Sequence, residues 1–182
     1  QMRKYYPIRV GATWRYQIGE PNPESNEPVN YREIRIKEID ETENGRRVSG
    51  MVETERGNSS VSKPLRIRVE GDSVFLAYGK GAILKFPLQR GHWWEWGGNS
   101  FQKKEQKHLR KVTSDSRTVK TPYGTFNNCM EVTFTTEFSQ GESSRKIESK
   151  EYYAPHVGLV KIEYLDENYR QHNMELVDYR NR

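Results

Sequence analysis

Four histidines, one cysteine and a dense aromatic run are the residues of this chain with the most chemistry to offer. His92, His108, His156 and His172 fall in no ligand-spaced motif such as His-x-x-x-His, and Cys129 is the single thiol that could join them. The pattern predicts no metal site. Ser-His-Asp catalysis needs a nucleophile on a strained elbow, and no Gly-x-Ser-x-Gly occurs. Gly79-Lys80-Gly81 lacks the strand–loop–helix setting of a phosphate loop and reads as a turn. Glutamates are frequent enough to hide a carboxylate pair of the glycosidase kind, but separation along the chain does not fix separation in space. The expectation is a protein with no catalytic residues and no cofactor. A hydrolase assembled from scattered carboxylates is the enzymatic alternative.

The aromatic run is Gly91-His92-Trp93-Trp94-Glu95-Trp96-Gly97-Gly98. In an extended chain His92, Trp94 and Trp96 share one face, with Trp93 and Glu95 on the other. Same-face neighbours stand about 7 Å apart at the usual strand rise. Indoles at that spacing can stack on a sugar or another flat ligand, so His92, Trp94 and Trp96 are the candidate ligand-binding residues. The stronger reading is packing, because an indole is a large apolar surface that can fill a core or seal the rim of a curled sheet. His92 then needs only a hydrogen bond at that rim. The flanking glycines let the chain bend and let a ligand or another segment approach the backbone.

Around this run, apolar and polar residues alternate in short segments separated by turn signals, which is the pattern of antiparallel strands. The expected strands are 13–18, 31–39, 46–55, 64–69, 73–78, 82–88, 92–96, 106–120, 128–138, 144–153, 158–165 and 173–179. Ile34 and Ile36 share a face opposite Glu33, Arg35 and Lys37, and Leu65, Ile67 and Val69 share another. Asn44-Gly45 marks a tight hairpin. Residues 19–30, with Pro21, Pro23 and Pro28, read as a mobile loop, and 56–63 as a polar turn region. Residues 100–112 fit a helical stripe of Phe101, His108, Leu109 and Val112 capped by Ser100. They also fit a strand from about Glu105, which is preferred because Lys111–Lys120 looks β-like.

Pro122, Gly124, Pro155 and Gly158 are assigned to structural turns. Proline fixes φ and lacks a donor, so each proline belongs at a strand edge or end. Gly124 and Gly158 are expected at backbone angles closed to other residues. A sheet of eleven or twelve strands seldom stays flat, and it curls around its apolar face. The prediction is therefore a single all-β domain over 1–182, a long curved antiparallel meander forming a half-barrel or open barrel.

Bulk properties agree with one polar domain. The chain has 182 residues, only 33% of them hydrophobic, and a mean hydropathy of −1.01. Patterned apolar residues in so polar a chain suit a sheet with one dry face and one wet face. A net charge of +5 hides an asymmetry: residues 20–55 hold ten acids and five bases, and 103–120 hold seven bases and two acids. Lys and Arg on exposed strands keep them soluble and blunt edge pairing. No nucleic-acid motif accompanies the basic stripe, so nucleic acid is not expected as a partner. One cysteine excludes an intrachain disulfide, and Cys129 in a β-patterned run reads as a buried, inert thiol. No run is long enough to span a membrane as a helix. The chain opens with Gln1 and not Met. This leaves room upstream for a removed export signal or a lipid-anchored cysteine.

Three blocks carry a resemblance. Tyr5-Tyr6-Pro7-Ile8 leads into Gly11, Trp14 and Tyr16; Pro122-Tyr123-Gly124-Thr125-Phe126 leads to Cys129; and Tyr153-Ala154-Pro155-His156-Val157-Gly158-Leu159-Val160-Lys161 follows. Together they resemble a family of bacterial secreted or lipid-anchored β-domains, which occur alone as exported proteins or beside copper-amine-oxidase-type stalk domains. The chain departs from that pattern at His156, where the family usually has Gly. The resemblance implies an extracytoplasmic, envelope-associated protein that is periplasmic, secreted or lipid-anchored. Its expected role is non-enzymatic, as a binding or structural component whose partner is an envelope protein, a small ligand or a glycan. A carbohydrate-binding module using Trp94 and Trp96 is the alternative.

Overall fold

The computed structural model describes residues 1–19, 24, 26–99, 105–165 and 171–181. One helical turn, α1 (Met2–Tyr5), precedes twelve strands. These are β1 (Thr13–Ile18), β2 (Asn30–Thr42), β3 (Gly45–Arg56), β4 (Ser59–Glu70), β5 (Ser73–Leu76) and β6 (Ala82–Lys85). They continue with β7 (Trp93–Asn99), β8 (Glu105–Thr121), β9 (Gly124–Gln140), β10 (Ser143–Ala154), β11 (Gly158–Leu165) and β12 (Gln171–Arg180). All belong to one antiparallel sheet in the order β6-β5-β4-β3-β2-β1-β12-β11-β10-β9-β8-β7. Pairing of β1 with β12 brings the first and last strands together in mid-sheet. The sheet curls into a nearly closed barrel whose one unsealed seam lies between β6 and β7.

The long curved meander expected from alternation is thus the fold, and each expected strand has its counterpart. Glu105 begins a strand, and residues 100–104 lie outside the described residues. So do 20–23 and 25 of the segment read as a mobile loop. Several boundaries differ by a few residues, and two of them have a local physical reason. The polar turn region 56–63 shrinks to Gly57-Asn58, because β3 and β4 pair without interruption from Gly45↔Glu70 to Arg56↔Ser59. Ser59 to Ser62 show no apolar alternation, yet their backbone groups complete the ladder, which side-chain pattern does not report. At the other boundary β6 stops at Lys85, short of Leu88. Pro87, two residues on, brings no N–H for a further rung.

Curvature has identifiable sources. Register shifts interrupt β2–β3 at Ile36/Glu38, β1–β12 at Arg15/Tyr16, β10–β11 at Tyr152/Tyr153 and β5–β6 at Val74/Phe75. Three more fall in β8–β9. Each extra residue bends its strand and increases the local twist. Directly opposed residues point to the same face, so the register identifies the barrel lining. Ile34 opposes Trp14 and Val52; Leu65 opposes Gly50; Ile67 opposes Val48 and Leu76. Val48, Val74, Leu84, Val112, Val132, Val160 and Leu176 are among the fully buried side chains. The opposite face carries charge ladders, Arg15 with Glu33 and Glu55, and Lys161 with Glu163 and Glu175.

The segment before β1 crosses one end of the barrel. The Gln1 side chain donates to the Leu88 carbonyl at 3.0 Å and accepts from the Leu88 N–H at 2.6 Å. The Lys4 carbonyl accepts from the His156 N–H, and the Tyr5 hydroxyl donates to the Asn128 carbonyl at 3.3 Å. This end thus joins the β6–β7 link, β9 and the β10–β11 turn. Cys129 is buried on β9, and burial pushes its thiol up to about 11.

Candidate functional site

Trp94 and Trp96 share one face of β7, and that face looks across the seam. Trp94 is 7% exposed, and its indole N–H donates to the Ala82 carbonyl of β6 at 2.8 Å. Trp96 is half-buried and stacks on His108 and Phe134, with centroids 5.1 and 5.8 Å away. Gly81 lies against its indole: a Cβ there would come within 2.0 Å of Trp96 Cδ2. The two rings therefore bridge the two edge strands by contact and by one hydrogen bond where no ladder forms. His92 Nδ1–H donates to the Pro87 carbonyl at 2.9 Å, and its ring sits 5.5 Å from Trp94. Trp93 and Glu95 project outward, Trp93 being exposed and Glu95 paired with Lys107 at 3.1 Å.

The proline–glycine segments lie at the α1 end. Pro122-Tyr123 turns β8 into β9, and the Tyr123 N–H donates to the Leu176 carbonyl of β12 at 3.0 Å. Pro155 to Val157 turn β10 into β11. This turn is clamped by three aromatic residues. Trp14 Nε1–H donates to the Val157 carbonyl at 2.7 Å, and the Tyr16 and Tyr179 hydroxyls donate to the Leu159 and His156 carbonyls at 3.0 and 3.3 Å. His156 adopts φ 64°, the left-handed region where glycine is the cheaper residue. Gly158 has φ 92° and packs near Pro7. Gly124 departs from expectation: its φ is not in that region, and a Cβ there would meet nothing within 4 Å. The turn at 122–123 positions Gly124 inside β9, where an ordinary extended backbone suffices.

Inside the barrel, against the α1 segment, lies a recess of about 180 Å³. Its walls include Tyr6, Ile8, Ile34, Leu65, Ile83 and Leu159. Burial, with the Glu151 charge adding to it, raises the Tyr6 phenol well above its ordinary range, so it stays neutral at any physiological pH. On the β8–β10 wall, Arg110 donates to Glu151 at 2.6 Å, and the Tyr153 hydroxyl donates to the same carboxylate oxygen at 2.7 Å. The Arg110 guanidinium also lies 4.4 Å from the Phe134 ring centroid, while its Nε has no partner. Burial works against the charge on Arg110, but Glu151 outweighs it and keeps the guanidinium ionised. Glu131 is held similarly: burial opposes ionisation, and the Thr113 hydroxyl and Arg117 outweigh it, leaving the carboxyl below its ordinary value.

A second recess, about 330 Å³, lies farther from α1 on the same face. Arg32, Val52, Thr54, Arg56, Val61 and Lys63 line it. Arg32 opposes Thr54, which opposes Val61, and Lys63 opposes Val52, the partner of Ile34. The two recesses are therefore consecutive along the sheet: Ile34 and Arg32 are successive inward positions of β2, as Leu65 and Lys63 are of β4. The sequence reading passed over Arg32, Arg56 and Lys63. The signal was available in the parity of Ile34 and Leu65, extended by two residues. Of the basic stripe at 103–120, Arg110 turns inward to Glu151, while Lys107 and Arg117 pair with Glu95 and Glu131. Among the described residues no cluster of three metal-ligating side chains occurs, and no helix is long and apolar enough to cross a membrane.

No curated protein matches the chain. A family model described as DUF3108-like matches residues 97–176, from the end of β7 into β12. Two solved structures resemble the whole barrel. One is a candidate lipoprotein from Parabacteroides distasonis ATCC 8503, with 16% identity and a TM-score of 0.62, over 97% of this chain and 98% of that one. The other is a candidate exported protein with a YmcC-like fold from Bacteroides fragilis NCTC 9343, with 14% identity and a TM-score of 0.60, over 98% and 99%. At those identities the likeness is one of fold, and it extends over the entire length of the barrel, beyond the residues that the family model matches.

Proposed function

We propose that this chain is an exported, envelope-associated barrel with no catalysis of its own, which binds an apolar group in the recess beneath its α1 segment. The observation that carries the reading is the recess itself: about 180 Å³ walled by Ile, Leu and aromatic side chains. A concave apolar site with few polar groups is where a small-molecule ligand gains most from leaving water. Export is supported by what the two structural neighbours are described to be, a lipoprotein and an exported protein. The absence of catalysis is supported by how the acids are held. Glu151 is committed to Arg110 and Tyr153, and Glu131 to Thr113 and Arg117, so neither carboxylate is available to a substrate proton.

Titration with N-phenyl-1-naphthylamine, an uncharged dye that brightens in apolar surroundings, tests the reading. Saturable one-to-one binding is expected, weakened at least tenfold by Leu65→Trp, which fills the recess from a half-buried position. Absence of saturable binding, or full affinity in a folded Leu65→Trp protein, refutes it.

A further inference from the structure

The two recesses differ in charge, and their order along the strands specifies a ligand. On β2 the inward residues run Ile36, Ile34, Arg32; on β4 they run Ile67, Leu65, Lys63. The lining changes from apolar to cationic on both strands, one rung apart: Lys63 opposes Val52, the partner of Ile34, and Arg32 opposes Thr54 on the next inward rung. Arg56 adds a third cation to the outer recess. Successive inward residues are about 7 Å apart, so a chain lying in the apolar recess brings its polar end to these cations. The nearby acids do not neutralise them. Glu33 and Glu55 are on the opposite face with Arg15, and Glu53 accepts from Ser60 there. Among the described residues no carboxylate pairs with Arg32, Arg56 or Lys63 within 4 Å. Arg32 makes only a contact of 3.9 Å to the Met174 sulfur, and its Nε is buried without a partner. A buried guanidinium nitrogen with nothing to donate to favours an anionic oxygen acceptor.

We propose that the barrel binds a single-chain amphiphile with an anionic head, its hydrocarbon tail in the recess under α1 and its carboxylate or phosphate at Arg32 and Lys63. The inner volume of about 180 Å³ accommodates the end of one chain, well below the 300 Å³ or more of a site that encloses a drug-sized ligand. The outer recess then takes the head and the first carbons, against Val52 and Val61. This proposal rests on the apolar-recess reading and adds the charge of the ligand to it.

Displacement of bound N-phenyl-1-naphthylamine by three twelve-carbon amphiphiles below their micelle concentrations tests it. These are laurate, dodecyl phosphate and uncharged dodecyl maltoside. The expected result is displacement by laurate or dodecyl phosphate at about one-tenth the concentration dodecyl maltoside needs, since a charge-assisted hydrogen bond to the head separates them. The better of the two anions identifies the head. In the double variant Arg32→Gln/Lys63→Gln, with an unchanged near-ultraviolet circular dichroism spectrum, the anionic advantage should vanish. Equal displacement by all three amphiphiles overturns the anionic assignment while leaving the apolar recess standing, as does an advantage that survives in the double variant. Failure of the dye to bind the unaltered protein refutes the recess reading and this proposal with it.

Discussion

Removing the Trp94 indole should loosen the seam, and the structure separates two parts of the effect. Trp94 is almost fully buried, and it carries the hydrogen bond from β7 to the Ala82 carbonyl on β6. Trp94→Ala removes the ring and the bond, and a buried Trp replaced by Ala costs about 3–5 kcal/mol. Trp94→Phe keeps most of the apolar volume but leaves that carbonyl without its donor, which costs about 1–3 kcal/mol. For a domain of this size each kcal/mol lowers Tm by about 2–4 °C. The alanine variant should therefore melt about 6–20 °C below the parent, with the phenylalanine variant between them. Urea unfolding followed by far-ultraviolet circular dichroism gives the free energies without depending on the altered fluorophore. Hydrogen exchange then locates the change: amides of Ala82–Lys85 should lose protection before those of β10 and β11. A Trp94→Ala protein within about 0.5 kcal/mol of the parent would show that the ring is not part of the core. Such a protein, if it also lost a glycan-binding activity, would instead establish the indole as a ligand platform. A Trp94→Phe protein as stable as the parent would remove the Ala82 hydrogen bond from the account of the seam.

Three further outcomes follow from the same geometry. Gly158→Ala places a side chain at φ 92° with its Cβ 3.4 Å from Pro7 Cδ, and strain of about 1–3 kcal/mol is expected. Gly124→Ala, with an ordinary backbone and open space, should stay within about 0.5 kcal/mol in the same denaturation assay; equal losses at the two sites would refute the backbone argument. Arg110→Met alone strands the Glu151 carboxylate and should cost about 3–5 kcal/mol, whereas Arg110→Met with Glu151→Leu should recover most of it. A double-mutant cycle with no coupling would dissolve the pair. Burial, and secondarily the Arg110 charge, lowers the His108 pKa, so the unfolded chain binds that proton more readily than the folded one. The resulting stability is present above the ordinary histidine value of about 6.5 and is lost as pH falls from there toward the lower folded value. His108→Gln should flatten that part of the stability–pH curve, and an unchanged slope would count against the assignment.

The strands were legible because alternation is a local property, whereas the site depends on what alternation does not record. Ile34 and Ile36 mark one face of β2 by themselves, and Leu65, Ile67 and Val69 do so for β4. The same parity places Arg32 and Lys63 on the face of Ile34 and Leu65. It was not followed there because Ser59-Ser60-Val61-Ser62 looks like a turn when read without its partner strand. Backbone pairing to Arg56, Glu55, Thr54 and Glu53 extends β4 through that stretch, and only then does Lys63, an exposed residue, fall on the same face as Leu65 and Ile67. The aromatic run shows a complementary limit. Its period correctly puts His92, Trp94 and Trp96 on one side, but the surface they meet is supplied by Ala82 of β6, which shares no ladder with β7, and by Gly81 just before it. Sequence spacing also could not pair Arg110 with Glu151, forty-one residues apart and drawn from a stretch that reads as a solvated basic stripe. That pairing bears on the ligand. Glu151 holds Arg110 on the β8–β10 wall, while among the described residues no carboxylate pairs with Arg32, Arg56 or Lys63 on the β2–β4 wall. The lining face is consequently asymmetric, its charge paired on one wall and unpaired at the exposed end of the other, and the proposed anionic head would meet the wall that also continues into the apolar recess.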